Sequence, residues 1–355
     1  LVHAYPNPYN PHIDMMSLKA SFYWDWAIGK YAGKYDVIHA VCPLNVSAFL
    51  LFFIEAIRRL IFGLENSPRI VTSYHTNCAD IFQHFAKQSA WPWFILQMVW
   101  RISIWAVASP YGVLVDRLLT PTKSTEPAVV TYMEKNRHGI AATGVDLSAF
   151  KHSGEIPEEW IRKREQTLKQ FGCNKLLVYV GRVSYEKAVN ELYTFFNNPL
   201  MGEHKCALWV VGDGPHMADL KKIAARKKYP VKFLGYQHGE GLCNCYRVSD
   251  AFVSASLIET FGQTVQEAIG CGCAVAIPRT PVFDELFEKP RPSVVMWEPT
   301  VENDMIRVVK ELLDRKPETD TAASMLMTWK GAGAHLANEY HQAHYKKPNI
   351  LSYDF

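Results

Sequence analysis

The sequence predicts an α/β protein built from parallel sheets with helices on both faces. Short runs rich in Val, Ile and Leu alternate with longer helical stretches, and several of these runs end at a glycine that is followed by a loop and a helix. This alternation favours parallel sheets, because parallel strands are joined by crossover helices. With 355 residues, 48% of them hydrophobic, the chain is long enough for two domains.

The first half of the chain contains four short strands and two helical stretches in this prediction. The strands are Val37–Val41, Arg69–Tyr74, Arg117–Thr120 and Gly139–Ala142, and the helices cover Leu44–Phe62 and Ile81–Val115. Arginines interrupt the apolar runs of both helical stretches, so neither offers the roughly 20 apolar residues that a transmembrane helix needs. We expect both to flank the first sheet, and the tryptophan-rich second stretch also suits a membrane surface.

The second half contains six predicted strands, near 176–180, 207–211, 231–234, 251–255, 274–277 and 293–296. The charged stretch from Lys151 to Lys169 follows the turn Gly144-Val145-Asp146 and is typical of a hinge. We therefore predict a first domain over residues 1–150, a second over 151–320, and a final helical segment over 321–355.

The most informative motif places two glutamates around the start of a helix. Glu259 follows the strand near 251–255, and Glu267 lies on the helix predicted over Gly262–Gly270. Ligands bind beyond the carboxyl ends of strands in open α/β sheets, and free N–H groups at a helix start, roughly Gly262 to Val265, hold phosphate. A carboxylate, an anion cradle and a second carboxylate suit the sugar, diphosphate and ribose of a nucleotide-sugar. The alternative interpretation is an exposed helix with ordinary acidic residues.

A second motif supplies positive charge. The strand near 176–180 runs into Gly181, and Arg182 and Lys187 project from the loop that leads into a helix predicted over Glu186–Phe196. Two cations beside a helix start can neutralise a diphosphate leaving group as its charge develops. The alternative is a basic surface loop.

A third strand, near 207–211, runs into Gly212-Asp213-Gly214-Pro215. Its glycines let the backbone approach a ligand or make a tight turn, and the turn is favoured for Gly214-Pro215. Together these motifs resemble the retaining glycosyltransferases of family 4, which have the GT-B fold. The matching pieces are Gly181-Arg182 with Lys187, Gly212-Asp213-Gly214-Pro215, Phe233-Leu234-Gly235-Tyr236, Glu259-Thr260-Phe261-Gly262 with Glu267-Ala268, and Gly144-Val145-Asp146 with Phe150.

The resemblance covers roughly residues 36 to 345. Within the family, Ser73-Tyr74-His75-Thr76 and the segment after it look most like the plant and algal sulfoquinovosyltransferases that make sulfolipid, although mannosyl- and glucosyltransferases share much of it. The family's first strand and glycine-rich loop have no counterpart here. We expect them, with any targeting peptide, to precede Leu1, because Leu1–Asp14 is typical of a loop from the middle of the first domain.

The resemblance implies two Rossmann-like domains that face across a cleft, with the last helices crossing back to the first domain. The first domain would bind the acceptor and the second the donor. Implied donor-binding residues are Gly181, Arg182, Lys187, Gly212, Leu234, Glu259, Phe261, Gly262, Gln263, Thr264, Val265 and Glu267. Implied catalytic residues are His75, Glu259, Arg182 and Lys187.

In the roles that the resemblance implies, Arg182 and Lys187 hold the diphosphate and Glu267 accepts hydrogen bonds from the ribose. Glu259 orients the donor sugar and stabilises positive charge as the glycosidic bond breaks. His75 points across the cleft at the sugar; taken alone, it reads as a satisfied histidine at a strand end. Configuration is retained by front-face attack, with the leaving phosphate taking the acceptor proton.

Composition narrows the partners. The net charge of +3 and the absence of a recognisable motif argue against nucleic acid. The eight cysteines lack zinc-finger spacing and read as reduced thiols in an intracellular compartment. With no Asp-x-Asp motif, we expect neither a metal nor another cofactor. The expected partners are a nucleotide-sugar, with UDP favoured, a lipid or sugar acceptor, and a peripheral membrane contact, at the chloroplast membrane if the sugar is sulfoquinovose.

Two rival functions stay open. One is a mannosyl- or glucosyltransferase on another lipid or a soluble acceptor, since the sequence has no readable code for the sugar. The other is a GT-B scaffold without catalysis, or an inactive fragment. The presence of Arg182, Lys187, Glu259 and Glu267 argues for the enzyme.

Overall fold

The computed structural model describes residues 36–41, 67–73, 115–125, 137–141, 143–288, 292–315 and 326–345, with a few positions between 57 and 63 and residue 95. These residues form two parallel sheets, one of four strands and one of six. The predicted α/β class is confirmed. The helices predicted over Leu44–Phe62 and Ile81–Val115 lie almost wholly outside the described residues.

The first sheet keeps its strands in chain order. They are β1 (Val37–Val41), β2 (Arg69–Ser73), β3 (Arg117–Thr120) and β4 (His138–Ile140). All neighbouring pairs are parallel. Both central strands are buried along their whole length, as is usual for strands of parallel sheets.

In the second sheet all neighbouring strands are parallel, but the order in which the chain adds them reverses in the middle of the sheet. Its strands are β5 (Lys175–Val180), β6 (Cys206–Val211), β7 (Val231–Gly235), β8 (Ala251–Val253), β9 (Val275–Pro278) and β10 (Val294–Trp297). They are arranged in the order β10-β9-β8-β5-β6-β7. The chain runs outward from β5 to β7, then returns to place β8 on the other side of β5. The junction of β5 and β8 is therefore the switch point at which open α/β sheets leave a crevice for ligands.

Helices cover both faces of the second sheet. They are α1 (Glu158–Phe171), α2 (Met217–Lys227), α3 (Gly239–Arg247), α4 (Gln263–Gly270), α5 (Pro281–Leu286) and α6 (Asp304–Asp314), and α7 (Trp329–Tyr345) ends the described chain. Alternate residues of β5 enter opposite cores: Leu176 and Val178 pack with side chains of α3 and α4, whereas Leu177 and Tyr179 pack with those of α2 and α6.

The α-helix predicted over Glu186–Phe196 is wrong. The structure has two 3₁₀ segments there, Tyr185–Lys187 and Val189–Phe195, separated by Ala188 with a left-handed φ of 48°. The buried residues Val189, Leu192, Tyr193 and Phe195 include the i, i+3, i+4 spacing of an α-helix. Their spacing therefore predicts an α-helix and does not reveal the 3₁₀ form. Because both segments are 3₁₀, no regular α-helix start stands behind Arg182 and Lys187.

The final helix lies on the first sheet. α7 packs against β1 and β2, and its Glu339 carboxylate pairs with the buried Arg117 at the start of β3. The turn Gly144-Val145-Asp146 contacts the residues just before α7, because Val145 N–H donates to Met327 O at 2.8 Å. The domain boundaries at 150 and 320 stay predictions.

Candidate functional site

Two of the expected site residues meet at the switch point of the second sheet. Lys187 belongs to the 3₁₀ segment after β5, and Glu259 belongs to the loop after β8. Lys187 Nζ lies 2.6 Å from Glu259 Oε1 and also donates to Ile258 O at 3.1 Å. The side chains are 23% and 20% exposed, so the ion pair is shielded but still open to the crevice. A bound anion and a bound sugar could each reach one member of the pair.

The start of α4 lies directly after Glu259. Gly262 caps the helix in the left-handed conformation, with φ 68°, and its carbonyl accepts from Val265 N–H at 3.0 Å and Gln266 N–H at 3.1 Å. Val265 therefore has no free N–H, which corrects the expected cradle of Gly262 to Val265. Its side chain is buried too. The N–H groups of Gln263 and Thr264 have no acceptor among the described residues, and they form the narrower cradle.

Gly262 has no room for a side chain. A Cβ there would lie 2.5 Å from Phe283 Cε1, and Phe283 is buried in the core. We expect Gly262→Ala to lower the free energy of unfolding by about 1–2 kcal/mol from left-handed strain and by roughly 1–3 kcal/mol more from overpacking. Urea unfolding followed by circular dichroism measures the loss in unfolding free energy.

Gly172→Ala is the matched control for this substitution. Gly172 has φ 64°, close to that of Gly262, but a Cβ there would meet nothing within 4 Å. We therefore expect only the strain of about 1–2 kcal/mol. Equal losses for the two variants would show that the contact between Gly262 and Phe283 does not constrain the start of α4.

Glu267 is held within the helix pair α3 and α4. Tyr246 OH donates to Glu267 Oε2 at 3.2 Å, and Gln263 Nε2 lies 3.5 Å from Glu267 Oε1. Burial raises the pKa of Glu267, and these two hydrogen bonds offset part of the rise. Gln263 Nε2 also donates to Gly144 O at 3.2 Å, so α4 is hydrogen-bonded to the turn Gly144-Val145-Asp146. Gln263 Oε1 is buried without a hydrogen-bond partner among the described residues.

The loops after β5, β6 and β7 complete the same edge. Tyr179 OH donates to Arg182 O at 2.8 Å and fixes the loop, while the Arg182 side chain is exposed and forms no ion pair within the described part of the chain. Gly212 has φ 120°, and a Cβ on it would lie 2.1 Å from Gly181 O, so the two loops touch through their backbones. Leu234, near the end of β7, is half-buried.

The predicted donor-binding residues thus lie at the carboxyl edge of the second sheet. Among them, the Phe261 side chain is buried. His75 lies outside the described residues, so its orientation toward the cleft stays a prediction. In the described ranges, no three His, Cys, Asp or Glu side chains converge as metal ligands. Nor does any helix in those ranges have the length and apolarity to cross a membrane.

A contact that the sequence did not reveal joins the first sheet to the Glu259 loop. After β3, Thr122 Oγ1 and Thr125 Oγ1 donate to Thr260 O at 3.3 and 3.1 Å. Thr260 follows Glu259 directly, so the first sheet helps to set the position of that carboxylate. The spacing of two threonines just beyond a strand end was the available signal.

Glu285 of α5 makes the second contact between the two sheets. Its carboxylate accepts from Lys123 N–H at 2.9 Å, from Ser124 N–H at 2.8 Å and from Ser124 Oγ at 2.7 Å. Burial alone would raise the pKa of Glu285, but these hydrogen bonds outweigh it and lower the pKa. The interface therefore favours the ionised carboxylate.

Glu285→Gln is expected to lower the free energy of unfolding by about 0.5–1 kcal/mol near neutral pH, because solvent screens these exposed hydrogen bonds. Because folding lowers this pKa, the stability from the carboxylate is present above its unfolded-state pKa of about 4.3 and is lost as pH falls through the folded-state value. Urea unfolding at several pH values should show the difference from wild type shrinking on acidification. Glu288→Gln, an exposed neighbour, is the control, and a pH-independent difference would contradict the expectation.

Comparison with known proteins identifies relatives of this chain. Residues 162–324 match the family model described as "Glycosyl transferases group 1". The alpha-monoglucosyldiacylglycerol synthase of Streptococcus pneumoniae is 26% identical over 220 residues, covering 61% of this chain and 48% of the relative. The sulfoquinovosyl transferase SQD2 of Arabidopsis thaliana is 23% identical over 320 residues, covering 87% and 57%. The chain thus spans about half the length of these curated relatives.

Solved structures share the fold. HepE from Anabaena, crystallised with UDP and glucose, superimposes with a TM-score of 0.66 at 16% identity, covering 92% of this chain and 83% of HepE. Sucrose-phosphate synthase from Thermosynechococcus elongatus gives a TM-score of 0.66 at 16% identity, covering 96% and 82%. The chain thus has the fold of these GT-B proteins, and its residues 162–324 are similar to the glycosyl transferases group 1 family.

Proposed function

We propose that this protein is a retaining glycosyltransferase that moves a sugar from a nucleotide-sugar to an acceptor. The observation that carries the proposal is the pairing of Lys187 with Glu259 at the switch point, 2.6 Å apart and beside the start of α4. A cation, a carboxylate and two unpaired N–H groups meet there within one crevice. This combination suits a diphosphate joined to a sugar, since one end of that ligand is anionic and the other becomes cationic as the bond breaks.

In the proposed complex, the diphosphate contacts Arg182, Lys187 and the N–H groups of Gln263 and Thr264. Arg182 offers a planar fork of donors that is free of competing ion pairs in the described chain. Lys187 stays between the diphosphate and Glu259, so it links the leaving group to the carboxylate. Glu267 accepts hydrogen bonds from the ribose hydroxyls, which favour its ionised form despite burial.

The reaction follows from these positions. The bond between the anomeric carbon and the phosphate oxygen breaks, the acceptor hydroxyl attacks from the same face, and its proton passes to the departing phosphate oxygen. Glu259 orients the sugar and stabilises the positive charge on the ring, while the cations and N–H groups stabilise the negative charge on the phosphate. The proposal retains the prediction that His75 faces the sugar. No metal is required, because Arg182 and Lys187 supply the positive charge.

The favoured donor is UDP-linked and the favoured acceptor is diacylglycerol. HepE was solved with UDP, and a pneumococcal relative is named for monoglucosyldiacylglycerol synthesis. Transfer of sulfoquinovose is the most specific form of the proposal, supported by the match to the Arabidopsis protein over 87% of this chain. A diacylglycerol acceptor lies in a bilayer, so the proposal includes a peripheral membrane contact through the first domain, at the chloroplast membrane if the sugar is sulfoquinovose.

Mannosyl transfer is the second candidate. A GDP-mannose-dependent alpha-mannosyltransferase of Mycobacterium tuberculosis is 30% identical over 165 residues, covering 46% of this chain and 39% of the relative. The match covers less than half of either protein. A donor comparison therefore separates the two candidates.

The test is a transfer assay with UDP-glucose, UDP-sulfoquinovose and GDP-mannose, using vesicles that contain diacylglycerol. We expect a UDP-sugar to give a glycolipid with the donor's anomeric configuration, identified by proton NMR of the product. An inverted product would overturn retention, and preference for GDP-mannose would favour the second candidate. Nucleotide binding without transfer from any donor would favour a GT-B binding scaffold.

A further inference from the structure

Two buried cysteine sulfurs lie against each other outside the proposed site. Cys243 is on α3, Cys271 caps the end of α4, and their Sγ atoms are 3.0 Å apart. This separation is shorter than the contact of two unbonded sulfurs, although both thiols are free. A disulfide bond of about 2.05 Å would need an approach of only roughly 1 Å.

The surrounding helices hold the two sulfurs in this arrangement. Cys271 N–H donates to Glu267 O at 3.0 Å and so continues α4. Tyr246, one turn after Cys243 on α3, reaches across to the Glu267 carboxylate at 3.2 Å. The neighbouring cysteines are buried differently: Cys273 Sγ lies 3.5 Å from Ala274 O instead of another sulfur. The contact is therefore built by packing of α3 on α4 and is not a by-product of cysteine content.

The surroundings also make one of the thiols nucleophilic. The hydrogen bond from Cys271 lowers the pKa of Cys243 to about 7, with further help from Arg247, against the opposing effects of burial and of Glu240. The same contact raises the pKa of Cys271. A thiolate is the form of cysteine that oxidants attack. The Cys243 thiol also donates to the carbonyl of Lys151 at 3.6 Å, and Lys151 is exposed.

We propose that Cys243 and Cys271 are a redox modification site, which closes to an intramolecular disulfide when hydrogen peroxide oxidises the protein. The Cys243 thiolate attacks the peroxide, breaks its O–O bond and becomes a sulfenic acid, and the departing oxygen leaves as water after protonation. The Cys271 sulfur then attacks the Cys243 sulfur. Water leaves, and the two protein sulfurs have lost two electrons and two protons in all to the peroxide. A dithiol reverses the bond by exchange.

The disulfide joins α3 to the carboxyl end of the helix that carries Glu267. It closes a loop between positions that are 28 residues apart in the chain, which restricts the unfolded state more than the folded one. We therefore expect oxidation to raise the melting temperature of the second domain. This inference does not depend on the proposed function, because neither sulfur is assigned to donor, acceptor or catalysis.

The test uses the reduced full chain treated with a small excess of hydrogen peroxide. We expect the intact mass to fall by two hydrogen atoms, the Cys243 and Cys271 peptides to be linked in a non-reducing digest, and dithiothreitol to restore both. Cys243→Ser and Cys271→Ser should each abolish the link. Cys245→Ser and Cys273→Ser are matched buried controls that should retain it.

Peptide mapping of the oxidised wild-type protein shows which cysteines are linked, even if a serine variant fails to fold. Linkage of either cysteine to a different partner would overturn the proposal. So would direct conversion of Cys243 to its sulfinic acid, or no change in either peptide after the peroxide has oxidised the half-buried Met305 or Met327. None of these readouts requires sugar transfer, so a failure here is distinguishable from a failure of the proposed function.

Discussion

Replacement of Glu259 by Gln is expected to lower the turnover number for sugar transfer by at least about 100-fold, with UDP affinity almost unchanged. The substitution keeps the size of the side chain and an oxygen that Lys187 can contact at the present 2.6 Å. It removes the negative charge that stabilises the sugar ring as the glycosidic bond breaks. In the proposed complex UDP contacts Arg182, Lys187 and the start of α4, and not Glu259, so its binding should survive.

The matched control for this variant is Glu191→Gln. Glu191 is exposed on the 3₁₀ segment that follows Lys187. Its carboxylate accepts from Asn190 Nδ2 at 2.9 Å, and its loss changes the net charge equally. Turnover from initial rates and UDP affinity from calorimetry should both match wild type. If Glu259→Gln turned over at the wild-type rate, the carboxylate would have no part in the chemistry.

The second large effect concerns stability. Glu339→Gln is expected to lower the free energy of unfolding by about 3–5 kcal/mol, because it removes the carboxylate that faces a buried guanidinium. Glu339 and Arg117 are only 6% and 8% exposed, and they join the final helix α7 to the first sheet. Urea unfolding with a fluorescence readout measures the change.

A surface ion pair on α1 provides the control. Glu158 and Arg162 are 81% and 63% exposed, so Glu158→Gln should cost less than about 1 kcal/mol. A similarly small loss for Glu339→Gln would mean that α7 does not depend on its buried ion pair. The comparison removes the effect of charge alone, since both variants neutralise one glutamate.

Local patterns in the sequence were sufficient to predict where the strands of the second sheet lie. An apolar run ending at glycine marks a buried parallel strand and its turn, which is why β5 and β6 fall almost where the residues indicate. Gly262 before an apolar-periodic stretch gave α4 its start. These features depend on neighbours within a few residues, so they can be read along the chain.

Other features depend on topology, which no local pattern contains. Lys187 and Glu259 were expected to bind different parts of a ligand, and they do not follow one another in the chain. They pair because β8 returns to the side of β5. Other contacts also join residues that are distant in the chain: Thr122 and Thr125 with Thr260, and Cys243 with Cys271. The left-handed Ala188 interrupts the helix expected over Glu186–Phe196, and the spacing of apolar residues does not mark that break.

The central claim is that the crevice at the β5–β8 junction binds a nucleoside diphosphate. Thermal unfolding with UDP, GDP and ADP, without added metal, tests it most directly. We expect UDP to stabilise the wild-type chain by about 2.7 kcal/mol at a concentration 100-fold above its Kd, and Arg182→Ala to lose most of that gain. Arg162→Ala, on the exposed face of α1, should keep it. No stabilisation of the folded chain by any nucleotide, or an equal gain in Arg182→Ala, would contradict the claim.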